Sequence, residues 1–167
     1  TQLSLRDIEG AKSLLWQLDE KNYEVKYYRA IVLILYKKFD DAKNIFAEIT
    51  NSESTADQNL KENSDRFLDK YRNFALFKEG EEVFLETLLA KAMTEVEEYQ
   101  AAIPLLFDVL DQKNNYRDAW VVLGYAYLNT RQTLDAIDAF TQAKYLDPDK
   151  SETLFFLGLA YYANNNI

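Results

Sequence analysis

The chain has 167 residues, 48% hydrophobic and 28% charged, with a net charge of −9. That composition suits a folded protein with a sizeable core, and its sign is wrong for binding nucleic acid or an anionic membrane surface. There is no cysteine and no histidine, which removes disulfides, thiolate chemistry, the usual neutral-pH base and the commonest transition-metal ligand.

With only 4 Gly and 2 Pro there is little to break a helix. The apolar spacing predicts an all-α chain with helices at 4–18, 23–38, 40–50, 57–78, 81–96, 99–112, 117–130, 133–146 and 151–163. In chain order, Ala11, Leu15 and Leu18 read as a second helix without its first. Ala30, Leu33, Phe39, Ala42, Phe46 and Ile49 read as one looser helix pair. A polar loop, Asn51–Thr55, then leads into a helix with the stripe Phe67, Leu68, Tyr71, Phe74, Ala75 and Phe77, stopped by Gly80.

Residues 79–98 carry seven carboxylates against Lys91 alone. They read as a solvated face with helix-start carboxylates or as a docking patch for a basic partner. Leu89, Ala90 and Met93, then Tyr99, Ala102, Leu106 and Val109, form the next pair, with Glu86 where a large aromatic would be expected. The longest apolar stretches, Ala30–Tyr36 and Thr153–Ala163, fall short of the roughly 18 residues of a membrane span.

The clearest pair starts at Arg117. Trp120, Leu123 and Tyr127 share one helical face, and Gly124 leaves room in its middle for a second helix. Ala136, Phe140 and Ala143 form the matching face, and Pro148 closes a unit of about 34 residues. At every signature position this resembles the tetratricopeptide repeat. Leu154, Leu157, Gly158 and Tyr161 begin another copy.

The resemblance implies an α-solenoid of antiparallel helix pairs, a right-handed superhelix with one inserted helix. It divides a single domain, 1–167, into degenerate repeats 1–50, an inserted loop and helix 51–80, repeats 81–116 and 117–150, and a partial repeat 151–167. The absent initiator Met and the unfinished last repeat suggest a fragment of a longer or processed chain.

It further implies a protein-interaction scaffold that takes a partner peptide or helix in an apolar concave groove. Positions 2, 5, 9 and 12 of each first helix face that groove. They nominate Tyr27 and Ile31, then Val121, Tyr125 and Leu128, then Phe155, Leu159 and Tyr162. Members that clamp a C-terminal carboxylate use Lys and Asn at positions 5 and 9; here Val121, Tyr125, Phe155 and Leu159 stand there, so that mode is not expected. The groove could be filled by helix 57–78, by a partner or by a second copy.

The alternative is a structural or self-assembly module without a peptide ligand, and a homo-oligomer through the C-terminal end is one form of it. No phosphate loop, nucleophile elbow or metal-ligand cluster is visible. Glu81–Glu82, Glu97–Glu98 and Asp40–Asp41 are adjacent pairs that diverge around a helix, not facing dyads. No catalytic residue, metal, cofactor or nucleic-acid partner is therefore expected.

Overall fold

The computed structural model describes residues 5–52, 57–76 and 81–165. Among them the chain forms nine helices and no strand: α1 (Leu5–Leu15), α2 (Tyr23–Leu35), α3 (Phe39–Thr50), α4 (Gln58–Ala75), α5 (Glu82–Glu95), α6 (Tyr99–Gln112), α7 (Arg117–Asn129), α8 (Thr133–Leu146) and α9 (Ser151–Asn165). The expected helix start at Ser4, loop residues 53–55, the helix end at Phe77–Lys78 and the Gly80 stop lie outside the described residues.

Helix ends follow from specific hydrogen bonds. Expected to reach 18, α1 stops at Leu15. There Arg29 donates from Nε and Nη2 to the Leu15 carbonyl at 3.1 and 3.0 Å, and from Nη2 to Leu18 at 3.0 Å. Those carbonyls thus gain partners that no further helical turn supplies. The next helix begins where Asn22 Oδ1 accepts from the Glu24 and Val25 amides at 2.8 and 3.3 Å.

One turn recurs between helices. After α2, Lys37 has φ 57° and the Lys38 amide reaches back to the Leu33 carbonyl at 2.8 Å. After α5, Glu97 (φ 66°) precedes a 2.8 Å bond from Glu98 to Met93. After α7, Arg131 (φ 63°) precedes a 2.9 Å bond from Gln132 to Tyr127. A left-handed residue followed by this backward bond is the Schellman closure. The periodicity of the sequence is therefore also a periodicity of the backbone.

The helices form two compact units, α1–α4 and α5–α9. In the first, Phe46 of α3 and Phe67 of α4 are fully buried, with Tyr27 of α2 edge-on to both at 5.9 and 6.3 Å. Of the stripe on α4, Phe67 and Tyr71 are buried, Leu68 and Phe74 partly buried, and Ala75 exposed. The Tyr71 hydroxyl donates to the Phe39 carbonyl at 2.9 Å. Burial, and then the Asp40 carboxylate, push that hydroxyl well above the ordinary tyrosine range.

In the second unit, Leu89, Ala90, Met93, Ala102, Leu106 and Val109 are fully buried, and so is Glu86. Gly124 does what its position implies: a Cβ there would lie 2.7 Å from the Phe140 ring. Ala136, Phe140 and Ala143 are completely enclosed, and Phe140 stacks on Phe156 of α9 at 5.6 Å.

One expectation is corrected. Trp120 is only half-buried, because its indole N–H donates to the Asn114 carbonyl at 2.7 Å in the connection before α7. Its neighbour Ala119 takes the fully enclosed position.

Candidate partner-binding cleft

Three first helices of the second unit, α5, α7 and α9, present a cleft of about 410 Å³. Phe84, Leu88, Val121, Val122, Tyr125 and Phe156 provide its apolar lining, with Thr87 and Thr94 between them. Lys91, Glu95, Tyr116, Arg117, Asp118 and Glu152 bring polar groups to it.

Tyr125 stands half-buried, edge-on to Phe156 at 5.5 Å and to Tyr99 at 6.2 Å. Burial first, and then Tyr125, raise the pKa of the Tyr99 hydroxyl, so the Tyr99 phenol stays neutral at physiological pH.

Charge is fixed at one end. The guanidinium of Arg117 donates from Nε to Asp118 Oδ1 at 2.9 Å, and Nη2 pairs with the same oxygen. Its Nη1 donates to Thr153 Oγ1 at 3.4 Å and lies 3.9 Å from Glu152 Oε2. One cation thus ties the start of α7 to the start of α9. The site combines an aromatic and aliphatic wall with an ordered ionic edge, suited to an apolar side chain whose flanking backbone stays polar.

The nominated groove residues divide. Val121 and Tyr125 line the cleft, whereas Leu128 is half-buried on α7 outside its lining. Phe155, Leu159 and Tyr162 also lie outside it, exposed on α9. Tyr27 and Ile31 are 2% and 4% exposed in the first unit. They present no open surface, and Phe67 of α4 lies against Tyr27.

The lining on α5 was missed, although a signal existed. Counting positions 2, 5, 9 and 12 from Val83, one period before Arg117, gives Phe84, Thr87, Lys91 and Thr94, all of which line the cleft. Phe156 has no such signal, because it occupies position 6.

No family model matches the sequence, and no curated protein matches it. Among solved structures, the chain is similar to the first tetratricopeptide-repeat domain of Spaghetti (RPAP3), solved bound to the HSP90 peptide SRMEEVD. The two are 14% identical over 89% of this chain and 97% of that one, at a TM-score of 0.51. It is also similar to two structures of MamA, 20% and 17% identical, which cover 95% and 88% of this chain and 83% and 85% of theirs. Their TM-scores are 0.48 and 0.47. The chain folds as a tetratricopeptide-repeat protein.

Proposed function

We propose that the chain is a non-catalytic protein-interaction scaffold that takes a segment of a partner protein in the cleft of α5, α7 and α9. The observation that carries this reading is an open wall of Val121, Tyr125 and Phe156 beside an ion cluster already ordered by Arg117. Such a wall offers apolar burial at little ordering cost. The similar Spaghetti domain, solved with a peptide, supports a peptide as the kind of ligand. Recognition here rests on an apolar anchor and not on a clamped terminal carboxylate, since Val121 and Tyr125 stand at the clamp positions.

Peptide-display selection against the purified chain tests this. Enriched peptides should share a large apolar residue and lose binding to Tyr125→Glu, with the helical circular-dichroism signal of that variant unchanged. Peptides that bind both proteins alike would overturn the reading.

A second reading is an assembly module joined through its C-terminal helix. Exposure of Leu154 and Tyr161 on α9, at 43% and 51%, favours it. In that case the chain sediments as a concentration-dependent oligomer; a monomer at every concentration removes this reading.

A further inference from the structure

The charges around the cleft are unevenly matched. At the starts of α7 and α9, Asp118 and Glu152 share the one guanidinium of Arg117. Their side chains are 54% and 58% exposed against 21% for Arg117, so that end presents net negative charge. Lys91 of α5 is the reverse case. Its side chain is exposed, lines the cleft and pairs with no carboxylate among the described residues, Glu95 one turn further on included.

Repeat spacing sets the distance between the two ends. Asp118 and Glu152 stand at position 2 of their helices, and Lys91 and Tyr125 at position 9. Seven residues of helix rise separate those levels, about 10 Å. Val121 and Phe156, at positions 5 and 6, lie between them.

We propose, resting on the scaffold reading above, that the cleft takes a dipolar segment of another protein in one orientation. A basic side chain lies over Asp118 and Glu152, a large apolar one against the wall, and an acidic one at Lys91. Rim charges of this kind order a ligand more than they tighten it, because like charges meet when it lies reversed. The chain's own helices do not fill the site: α8 and α9 follow α7 and leave Tyr125 and Phe156 partly open. A further repeat would seat on the Gly158 side of α9, as α8 seats on the Gly124 side of α7. That side is turned well away from Phe156, two residues back on the helix. A second copy would bring another −9 and be repelled.

The probe is a synthetic library of acetylated, amidated peptides with Trp at a fixed centre and randomised flanks, bound to the full chain. Bound peptides should carry Lys or Arg on one side of the Trp and Asp or Glu on the other, always in the same order. Lys91→Glu should weaken a bound peptide by about three- to tenfold, and exchanging that peptide's acid for Lys should restore it. The Asp118→Asn, Glu152→Gln double variant should erase the basic preference and leave the acidic one. All three positions are exposed, so the variants should keep the helical circular-dichroism signal.

Peptides bound without a charge order, or equally well by the parent and Lys91→Glu, would overturn the proposal. So would a parent oligomer that Lys91→Glu returns to monomer, which gives the cleft to a second copy. Binding lost in Tyr125→Glu but unchanged in Lys91→Glu removes this inference alone. Binding unchanged in both, or no bound peptide at all, removes the cleft reading as well.

Discussion

Phe67 lies flat on Phe46, with ring centroids 4.4 Å apart and planes 2° from parallel. Phe156 lies on Phe140 in the same manner, at 5.6 Å and 11°. The helix that no regular repeat anticipates, α4, therefore packs on α3 as α9 packs on α8. Because Phe67 has no exposed surface, Phe67→Ala should destabilise the chain by about 3–5 kcal/mol. Urea denaturation followed by circular dichroism measures it. A loss below about 1 kcal/mol would mean that α4 is not part of the core it touches.

Gly124→Ala sets two effects against each other. Alanine improves helix propensity by about 1 kcal/mol, but its methyl would sit 2.7 Å from the fully buried Phe140 ring. Displacing that ring costs about 1–3 kcal/mol. We expect net destabilisation, with a lower melting temperature. A higher one would show that α8 shifts at little cost.

Arg131→Gly should act in the opposite direction. The exposed Arg131 side chain makes no contact that would be missed, while its backbone sits at φ 63°. Non-glycine residues are strained there by about 1–2 kcal/mol. Part of the relief is cancelled by the greater freedom of glycine in the unfolded chain. A net gain of about 0.5–1 kcal/mol should appear as a higher denaturation midpoint; an unchanged midpoint would locate the turn's stability elsewhere.

Alkaline pH should unfold the chain through its phenols. Burial raises the folded pKa of Tyr71, and a hydrogen bond with Glu9 pushes Tyr36 up to about 12. A raised folded value means that each contribution is complete below the unfolded pKa of about 10 and is lost as pH climbs above it. Tyr71→Phe should cost about 1 kcal/mol at neutral pH, the hydrogen bond to Phe39. It should also flatten the fall in stability above pH 10. Parallel pH profiles for parent and variant would show that Tyr71 is not a source of that fall.

What was legible in the sequence depended on whether one repeat contained the whole relationship. Gly124 and Phe140 belong to a single helix pair, so their fit follows from residue sizes at fixed offsets. The seat of α4 was not legible, because the connection after α3 shifts Phe67 out of the repeat spacing. Helix 57–78 was one of the expected occupants of the groove, but its contact with Tyr27 through Phe67, beside Phe46 of α3, could not be read off the spacing. Trp120 illustrates a different gap, since spacing marks it as inward but does not reveal that Asn114 holds its indole nitrogen outward. At the cleft, Val121 and Tyr125 were legible on a well-formed repeat. Phe84 and Lys91 were hidden in a degenerate copy whose register has to be taken from its neighbour.

The clasp of Arg29 on the carbonyls of Leu15 and Leu18 has a consequence for opening motions. Of the described α1 side chains only Ile8 is buried, while Leu14 stays 67% exposed. A helix with so little enclosed surface derives much of its hold from polar ties: the charge-assisted clasp of Arg29, the Tyr36–Glu9 hydrogen bond and Lys12 over the Tyr36 ring. Its amide hydrogens should therefore exchange through a local opening well below the free energy of global unfolding. Arg29 projects from the middle of α2, where Ala30 and Ile34 are completely enclosed, so the donor keeps its place when its bonds to the end of α1 open. The first helix can then leave and return against a rigid post without loosening the repeat behind it.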